Sequence, residues 1–494
     1  MRKPVTGIIV LLTLQFAVPT LCSAGAFGPF LYNQLHVFTN SPDGSQPLSL
    51  LPGPDNALYG VTYAGGSSAG GTIYRINRDG SGYAILANFS TSQTGNSNSP
   101  EYEIADGSLG SGIPGFDASS ALYYYPLLGG LTVALGNDGY LYGTTFYGGT
   151  NNDGTIFKLS RTPGSDLTTL RSFGTTDANP VNVIQGNDGA LYGTTFNGGA
   201  NNFGAIFRLA SDGSSYSILH SFSGSLDGAK CPSLIQGSDG MLYGVLLYGT
   251  NNTATPSGGT IFRTDTNGNY VDLTNFPSSL SAPTSIMQAS DGYLYITMAA
   301  ENSSTGAGVY RLSTNGSGLS QVLQTTLADG SASAYPIGLV EQNGFLYGTT
   351  ILGGTNRSLG SVYQFRLSGG YSDVVYNFGA ATNEYPVGQL AAGSFSAEGR
   401  VLYGTFTQGY TATQNGGIFS LVVNPPLSII PVTSSANGQT TVFWPAWAMN
   451  YVLRSTTNLS SPTWTDVTNG TQVVGVQVTN NSPATYYQLV SPGN

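Results

Sequence analysis

The chain contains only two histidines, and both occupy the same place in a repeated pattern. His36 and His220 each stand two residues before a phenylalanine that ends an apolar stretch. Other copies of the stretch have a different residue at that place: Ala87, Arg171, Thr274 and Tyr376. Because the place does not require imidazole, we expect neither histidine to be catalytic. A histidine-based nucleophilic triad or a multi-histidine zinc site is therefore not expected.

The cysteines offer little further chemistry. Cys22 lies in an N-terminal leader, so the mature chain would keep only Cys231 and would form no internal disulfide. Cys231 precedes a proline at the start of an apolar stretch, and no histidine stands at a fixed spacing to activate its thiol. We expect a small buried hydrophobic residue rather than a nucleophile.

Carboxylates recur in two series. The first precedes glycine in short turns, lacks the ligand spacing of a calcium loop, and is interpreted as turn-forming: Asp138, Asp188, Asp239 and Asp291. In the second series a proline follows each carboxylate within a few residues: Asp43, Asp177, Asp227, Asp329 and Glu384. The favoured interpretation of the second series is an Asx-capped turn. The alternative is an acidic ring at a channel mouth that could hold a cation, which makes these five weak metal candidates.

Amide and aromatic side chains form the candidate ligand-binding set. Asn-Asn pairs follow a Gly-containing turn in three successive copies of the repeat, and two of them come shortly after a tyrosine. An unrepeated insertion at about residues 90–124 adds further tyrosines. Amides and phenol rings suit a neutral sugar, although Asn also suits a tight left-handed turn. The candidates are Tyr102, Tyr123, Tyr124, Tyr125, Tyr147, Asn151, Asn152, Asn201, Asn202, Tyr248, Asn251 and Asn252.

A Leu-Tyr pair marks the elements that must position these side chains. Its tyrosines are Tyr59, Tyr142, Tyr192, Tyr243, Tyr295, Tyr347 and Tyr403. Around each pair we identify short β-branched and aromatic stretches separated by Gly-rich turns, four in each complete unit. Seven such units at a period near fifty predict an all-β, seven-bladed β-propeller of four-stranded antiparallel blades. The seventh unit lacks a fourth strand, and "LYNQLHVF" (31–38) precedes the first unit without a partner. We therefore expect this N-terminal strand to close the last blade.

The pattern DGxLYGTTxxGGxxxxGxIFRL…DG resembles the GloVer tandem repeat of secreted bacterial proteins, and it is similar to kelch repeats in its strand order and Gly-Gly pair. The resemblance covers about residues 31–423 and implies a propeller and a secreted location. It implies no particular activity.

Two further segments flank the predicted propeller. Residues 1–24 carry Arg2 and Lys3, an apolar run and a small-residue cleavage site, as in a signal peptide. Residues 425–494 lose the repeat, and "YVLRSTTNL" and "PTWTDVT" resemble a small β-sandwich module appended to secreted bacterial proteins. We predict a C-terminal β-sandwich there.

Composition narrows the function without identifying it. The net charge of −10 and the pI near 4.5 argue against a nucleic-acid partner, since little would neutralise phosphates. We expect a secreted or cell-surface monomer with no transmembrane segment in the mature chain and no cofactor, which binds an extracellular glycan or a surface protein and is not an enzyme. Two alternatives stay open: a propeller-based polysaccharide lyase or hydrolase, or a lyase of the streptogramin type; and a structural surface or matrix protein.

Overall fold

The computed structural model describes the following residues: 30–90, 131–249, 258–276, 282–299, 307–325, 336–351, 359–367, 372–378, 384–393, 400–408, 415–423, 430–434, 439–443, 452–456, 465–466, 475–479 and 486–490. The predicted signal peptide, the insertion and all three tryptophans lie outside these residues.

Seven four-stranded antiparallel sheets form the blades of a propeller. Blade 1 contains β2 (Ser45–Pro52), β3 (Ala57–Ala64), β4 (Ala69–Asn77) and β5 (Ala84–Ser90). Blade 2 contains β6 (Leu131–Leu135), β7 (Leu141–Thr145), β8 (Thr155–Leu159) and β9 (Thr168–Ser172). Blade 3 contains β10 (Pro180–Gln185), β11 (Leu191–Thr195), β12 (Ala205–Leu209) and β13 (Tyr216–Ser221). Blade 4 contains β14 (Ser233–Gln236), β15 (Leu242–Leu246), β16 (Thr260–Thr264) and β17 (Tyr270–Asn275).

The remaining blades follow the same order, except that the last takes its outer strand from the start of the chain. Blade 5 contains β18 (Pro283–Gln288), β19 (Leu294–Met298), β20 (Gly308–Leu312) and β21 (Ser320–Gln324). Blade 6 contains β22 (Pro336–Gln342), β23 (Phe345–Thr350), β24 (Ser361–Arg366) and β25 (Ser372–Asn377). Blade 7 contains β26 (Glu384–Ala392), β27 (Arg400–Gln408), β28 (Gly417–Val423) and β1 (Phe30–Val37).

The pairing of β1 with β28 confirms the predicted closure. Antiparallel register runs from Phe30 opposite Val423 to Val37 opposite Gly417. The Phe38 amide then donates to the Gly416 carbonyl at 3.0 Å, as the Phe173 amide donates to the Gly154 carbonyl at 2.9 Å in blade 2. The N-terminal strand thus makes in blade 7 the contact that a fourth strand makes elsewhere.

Burial follows the position of a strand within its blade. All five residues of β7, β11, β15 and β19 are buried, because each second strand is covered on both faces by neighbouring blades. Six of the seven Leu-Tyr tyrosines are among the largest fully buried side chains, and the seventh, Tyr403, is 6% exposed. Outer strands such as β21 are mostly exposed. The core is therefore a series of layers between blades.

Beyond the propeller, the described residues form two three-stranded sheets. One contains β29 (Ile430–Ser434), β30 (Gln439–Phe443) and β33 (Gly475–Thr479); the other contains β31 (Val452–Thr456), β32 (Thr465–Asp466) and β34 (Tyr486–Val490). The strands agree with an all-β tail. Their assembly into a sandwich stays a prediction.

Candidate functional site

Two kinds of loop meet on one face of the ring, which we call the loop face. Because strands alternate in direction, the loop between the second and third strands lies on the same side as the connection from each fourth strand to the next blade. In blade 2 these segments are 146–154 and 173–179, and in blade 3 they are 196–204 and 222–230. The opposite side, formed by the turns that join first to second and third to fourth strands, is called the hairpin face.

The second Asn of each described pair shapes its loop. Asn152 and Asn202 adopt left-handed φ angles of 62° and 60°. Their Oδ1 atoms accept hydrogen bonds from the amides of Gly148 at 3.1 Å and Gly198 at 2.8 Å. Left-handed backbone is uncommon outside glycine but tolerated by Asn. This geometry gives the turn interpretation a physical basis in both blades.

The first Asn of each pair ties its loop to the outer strand. The Asn151 Nδ2 donates to the Phe173 carbonyl at 3.2 Å, and the Asn201 Nδ2 donates to the Phe222 carbonyl at 3.5 Å. Both residues remain exposed. Their amides therefore lie on a fixed backbone at the surface, and their predicted role in ligand binding stays a prediction.

The same loops also carry aromatic rings. Phe146, Tyr147 and Phe203 are half-buried, and the ring of Tyr147 contacts that of Phe146 edge-on with centroids 4.8 Å apart. The ring of Phe146 in turn lies 5.9 Å from that of Phe196 in the next blade. Tyr248 differs, since only 4% of it is exposed and it packs in a core cluster with Leu247. We therefore leave Tyr248 out of the accessible surface.

Lys230 is a site residue that sequence reasoning missed. It precedes the first strand of blade 4, and its Nζ reaches back to the loop of blade 3. There it donates to the Phe196 carbonyl at 2.8 Å, the Asn197 Oδ1 at 2.6 Å and the Asn202 carbonyl at 3.3 Å. It also lies 4.6 Å from the centroid of the Phe196 ring. No sequence spacing signals these contacts, because the partners are about thirty residues away in another blade.

The described carboxylates of the second series are held by side chains of neighbouring outer strands. The Asp177 carboxylate pairs with Arg171 at 2.6 Å, and Asp227 with the His220 Nε2 at 2.6 Å. Asp43 lies 3.2 Å from the His36 Nε2. Glu384, the first residue of β26, accepts hydrogen bonds from Tyr32 and Gln34.

This placement bears on the cation hypothesis. The four described carboxylates lie beside three outer strands, β9, β13 and β1, where each already accepts hydrogen bonds. Among the residues the structure describes, no group of three or more His, Cys, Asp or Glu could hold a metal ion. Asp329 lies outside those residues, so a cation at the mouth stays an untested hypothesis. Tyr102, Tyr123, Tyr124, Tyr125, Asn251 and Asn252 also lie outside the described residues.

Each of the two histidines stacks on a tyrosine of the next blade. His36 stacks on Tyr83 of blade 1 with centroids 4.2 Å apart, and His220 stacks on Tyr270 of blade 4 at 3.9 Å. Arg171 makes the equivalent contact from blade 2, with its guanidinium 3.5 Å from the centroid of the Tyr216 ring. In all three cases a planar side chain, two residues before the phenylalanine that ends one outer strand, contacts a tyrosine of the next blade. That tyrosine stands six residues before the phenylalanine that ends the outer strand of its own blade.

A sequence signal for this contact exists between repeats. In blade 1 the residue two before the terminal phenylalanine is the small Ala87. The residue six before the terminal phenylalanine of blade 2 is then Leu167 rather than tyrosine. The residues at the two places therefore vary together between neighbouring units. The residues at the histidine place alone indicate only that histidine is not required there.

Acid should weaken these inter-blade contacts. Burial opposes ionisation of Asp227, but hydrogen bonds from His220 and Ser223 outweigh it and lower its pKa. Burial also lowers the pKa of His36, despite Asp43 nearby. Both groups have folded pKa values below their unfolded ones, so their stabilisation is present above the unfolded values and is lost as the pH falls through the folded ones. We expect the free energy of unfolding to fall steadily from pH 7 to pH 3.

The variant Asp227→Asn isolates this effect. It should lower the free energy of unfolding by about 2 kcal/mol at pH 7, because a buried charge-assisted hydrogen-bond set is lost, and its curve should approach that of the wild type near pH 3. Denaturant titrations at a series of pH values measure both. Asp212→Asn is the control, since the exposed Asp212 carboxylate accepts hydrogen bonds from the amide and hydroxyl of Ser214 at the surface. Equal stabilities of Asp227→Asn and wild type at pH 7 would contradict the assignment.

The first carboxylate series occupies the hairpin face and does more than form turns. Asp138 accepts hydrogen bonds from the Tyr142 hydroxyl at 2.7 Å and from the Lys158 Nζ at 2.9 Å. Asp188 repeats this with Tyr192 at 2.8 Å and Arg208 at 3.1 Å. Burial opposes ionisation of Asp138, but these bonds outweigh it and lower the pKa. All four aspartates of this series accept a hydrogen bond from the hydroxyl of the buried Leu-Tyr tyrosine in their own blade, so we assign them a structural role.

Cys231 is fully buried, and burial raises its pKa to about 12, as expected for a structural residue rather than a nucleophile. In the part of the chain described, no helix is long and apolar enough to cross a membrane.

Solved structures with a similar fold are distant. An extracellular domain assigned to a one-component system of B. thetaiotaomicron is 12% identical with a TM-score of 0.48; the match covers 94% of this chain and 55% of that one. An ulvan lyase bound to a GlcA–Rha3S saccharide is 12% identical with a TM-score of 0.47, covering 78% and 95%. YCF48 bound to a D1 peptide is 12% identical with a TM-score of 0.45, covering 81% and 99%. These similarities carry no argument about function.

Part of the sequence matches a known family of repeats. No curated protein matches the sequence. Residues 129–282, which span blades 2 to 4, match the model of the Gloeobacter/Verrucomicrobia repeat. This match covers the loops of blades 2 and 3 described above.

Proposed function

We propose that this protein is a secreted or cell-surface binding propeller whose loop face recognises a neutral extracellular glycan. The observation that carries the proposal is the repeated loop of blades 2 and 3. Each loop carries both an exposed amide and a half-buried ring: Asn151 and Tyr147 in blade 2, and Asn201 and Phe203 in blade 3. Sugars are commonly bound by a ring that covers their apolar face and by amides that bond their hydroxyls.

The rigidity of these loops supports the same function. Asn152 and Asn202 fix the loop backbone from within, and Asn151 and Asn201 fix it to the outer strand. A preformed surface loses less conformational entropy on binding than a flexible one. A repeated, preformed surface suits a polymer whose own units repeat.

Two other functions remain as alternatives. An enzyme of the lyase or hydrolase type needs a positioned acid or base, and the described carboxylates on the loop face are mostly engaged in structural hydrogen bonds. A structural surface protein would need no exposed amide and aromatic pairs. A protein partner on the cell surface would use the same face, and binding tests separate it from a glycan.

The test compares matched tyrosines on opposite faces. Wild-type protein, Tyr147→Ala and Tyr293→Ala are assayed for retention on soluble and insoluble neutral polysaccharides. Tyr293 lies on the hairpin face, is 38% exposed and contacts Arg311. Loss of a stacking ring should weaken binding about tenfold in Tyr147→Ala, since such contacts contribute on the order of 1 kcal/mol. Tyr293→Ala should bind like the wild type.

A third variant asks whether the insertion contributes. Removal of residues 92–122 should also reduce retention if the predicted tyrosines there contact the glycan. Absence of wild-type retention on every polysaccharide would contradict the glycan proposal and favour a protein partner or a structural role.

A further inference from the structure

The loops of blades 2 and 3 are alike in sequence, but each is anchored by a different residue of the next blade. Asn179 and Lys230 occupy the same place before the inner strands of blades 3 and 4, and each has a φ of 60°. The Asn179 amide donates to the Asp153 carbonyl at 2.7 Å, and the Lys230 amide donates to the Phe203 carbonyl at 3.0 Å. The backbone contact with the preceding loop is therefore the same in both blades.

The side chains of Asn179 and Lys230 make different hydrogen bonds to the preceding loop. The Asn179 Nδ2 donates once to the preceding loop, to the Phe146 carbonyl at 2.9 Å. The Lys230 Nζ donates three times, to two backbone carbonyls at the two ends of the loop and to the Asn197 side chain. An ammonium has three hydrogens and no acceptor, so three oxygens satisfy it fully. Lys230 thus joins both ends of the loop that carries Asn201 and Phe203.

We propose that Lys230 is a positioning residue for the loop face, whose ammonium holds loop 196–204 of blade 3 in the shape that presents Asn201 and Phe203 to a ligand. The predicted effect of Lys230 on ligand binding rests on the proposed function. The anchoring itself rests only on the contacts above. Lys230 does not need to touch the ligand.

The surroundings of Lys230 shift its pKa without weakening the anchor at high pH. Burial lowers the pKa of Lys230 to about 8. The segments that carry and contact Lys230 also hold three other titratable groups. Asp227 is bonded to His220, and burial raises the pKa of Cys231 to about 12 and also raises the pKa of Tyr248. Release of loop 196–204 would return Lys230 to water and to its ordinary, higher pKa, so the anchored state binds the proton less tightly than the released state. The loop should therefore not loosen as the pH rises through 8. The folded pKa lies below the unfolded one, so folding favours the neutral amine and global stability does not fall with this deprotonation.

Hydrogen exchange measured by mass spectrometry tests the anchor without any ligand. In Lys230→Met, amides within 196–204 should exchange about tenfold faster than in the wild type, a change equal to about 1.4 kcal/mol of opening free energy. The equivalent loop 146–154 serves as an internal control and should not change. Lys230→Arg retains a cation with several donors and should restore most of the protection. Unchanged exchange in 196–204 would overturn the proposal.

Binding separates positioning from a merely structural role. If the wild type is retained on a glycan, Lys230→Met should lose about tenfold in affinity with no loss of thermal stability, and Lys230→Arg should recover most of that affinity because it retains a cation with several donors. A loosened loop with unchanged affinity would overturn the positioning role. If the wild type binds no glycan, the proposed function fails, and the exchange result alone decides whether Lys230 anchors the loop.

Discussion

A chain that starts at residue 39 should fail to close its ring. Removal of residues 30–38 takes away the entire pairing of β1 with β28 and the buried ring of Phe38, which is 1% exposed. It also removes the stack of His36 on Tyr83 across the seam to blade 1. We expect the truncated protein to unfold at a much lower denaturant concentration than the full chain, or to aggregate on expression, because β28 becomes an unprotected edge.

Point variants make this expectation quantitative. Phe38→Ala should lower the free energy of unfolding by about 4 kcal/mol, the usual cost of a large-to-small change at a buried aromatic position. Leu31→Ala removes a side chain of the same strand that is 54% exposed, and it should cost less than about 1 kcal/mol. Equilibrium denaturation measures both. Similar costs for the two variants would contradict the closure role of the strand.

Gly388→Ala should be nearly as damaging, on the inner side of the same seam. Gly388 has a φ of 76°, and a Cβ there would stand 1.9 Å from the Leu48 carbonyl oxygen of blade 1. The inner strands of blades 7 and 1 cannot remain in contact unless one of them moves. Its own carbonyl also accepts from the Thr349 hydroxyl of blade 6 at 3.0 Å, so movement would disturb two seams. We expect a loss of more than about 3 kcal/mol.

The control for Gly388 is a glycine that has the same backbone but open space. Gly189 has a φ of 80°, and a Cβ there would meet nothing within 4 Å. Gly189→Ala therefore measures backbone strain alone, about 1 kcal/mol. Denaturation of both variants separates strain from steric conflict. Equal losses would show that the approach to Leu48 is not limiting.

The repeat made much of the fold predictable. Leu-Tyr pairs, turn glycines and terminal phenylalanines recur because every blade must bury both of its faces against two neighbouring blades. Local sequence also suggested the Asn-Asn turns, since their φ angles and capping bonds lie within a few residues. The closing strand could be predicted because one unit lacked a fourth strand and an unpaired copy stood at the other end.

Contacts between blades could not be read from a single unit. The pairing of His220 with Asp227 is close in sequence, but the stack of His220 on Tyr270 joins residues fifty apart. The accessibility of Tyr147 and the burial of Tyr248 were likewise indistinguishable in sequence, since both tyrosines follow the second strand of a blade. Burial depends on which side chains the neighbouring blade brings to that place.

Sequence alone therefore established the number of blades, their strand order and the way the ring closes, because these follow from local patterns repeated seven times. The three-dimensional arrangement was needed to place Lys230 against loop 196–204, to assign the carboxylates beside the outer strands to inter-blade contacts, and to leave Asn151 and Asn201 exposed on fixed loops. These features depend on side chains from adjacent blades meeting in space, and the distance between such side chains along the chain carries no information about their contact.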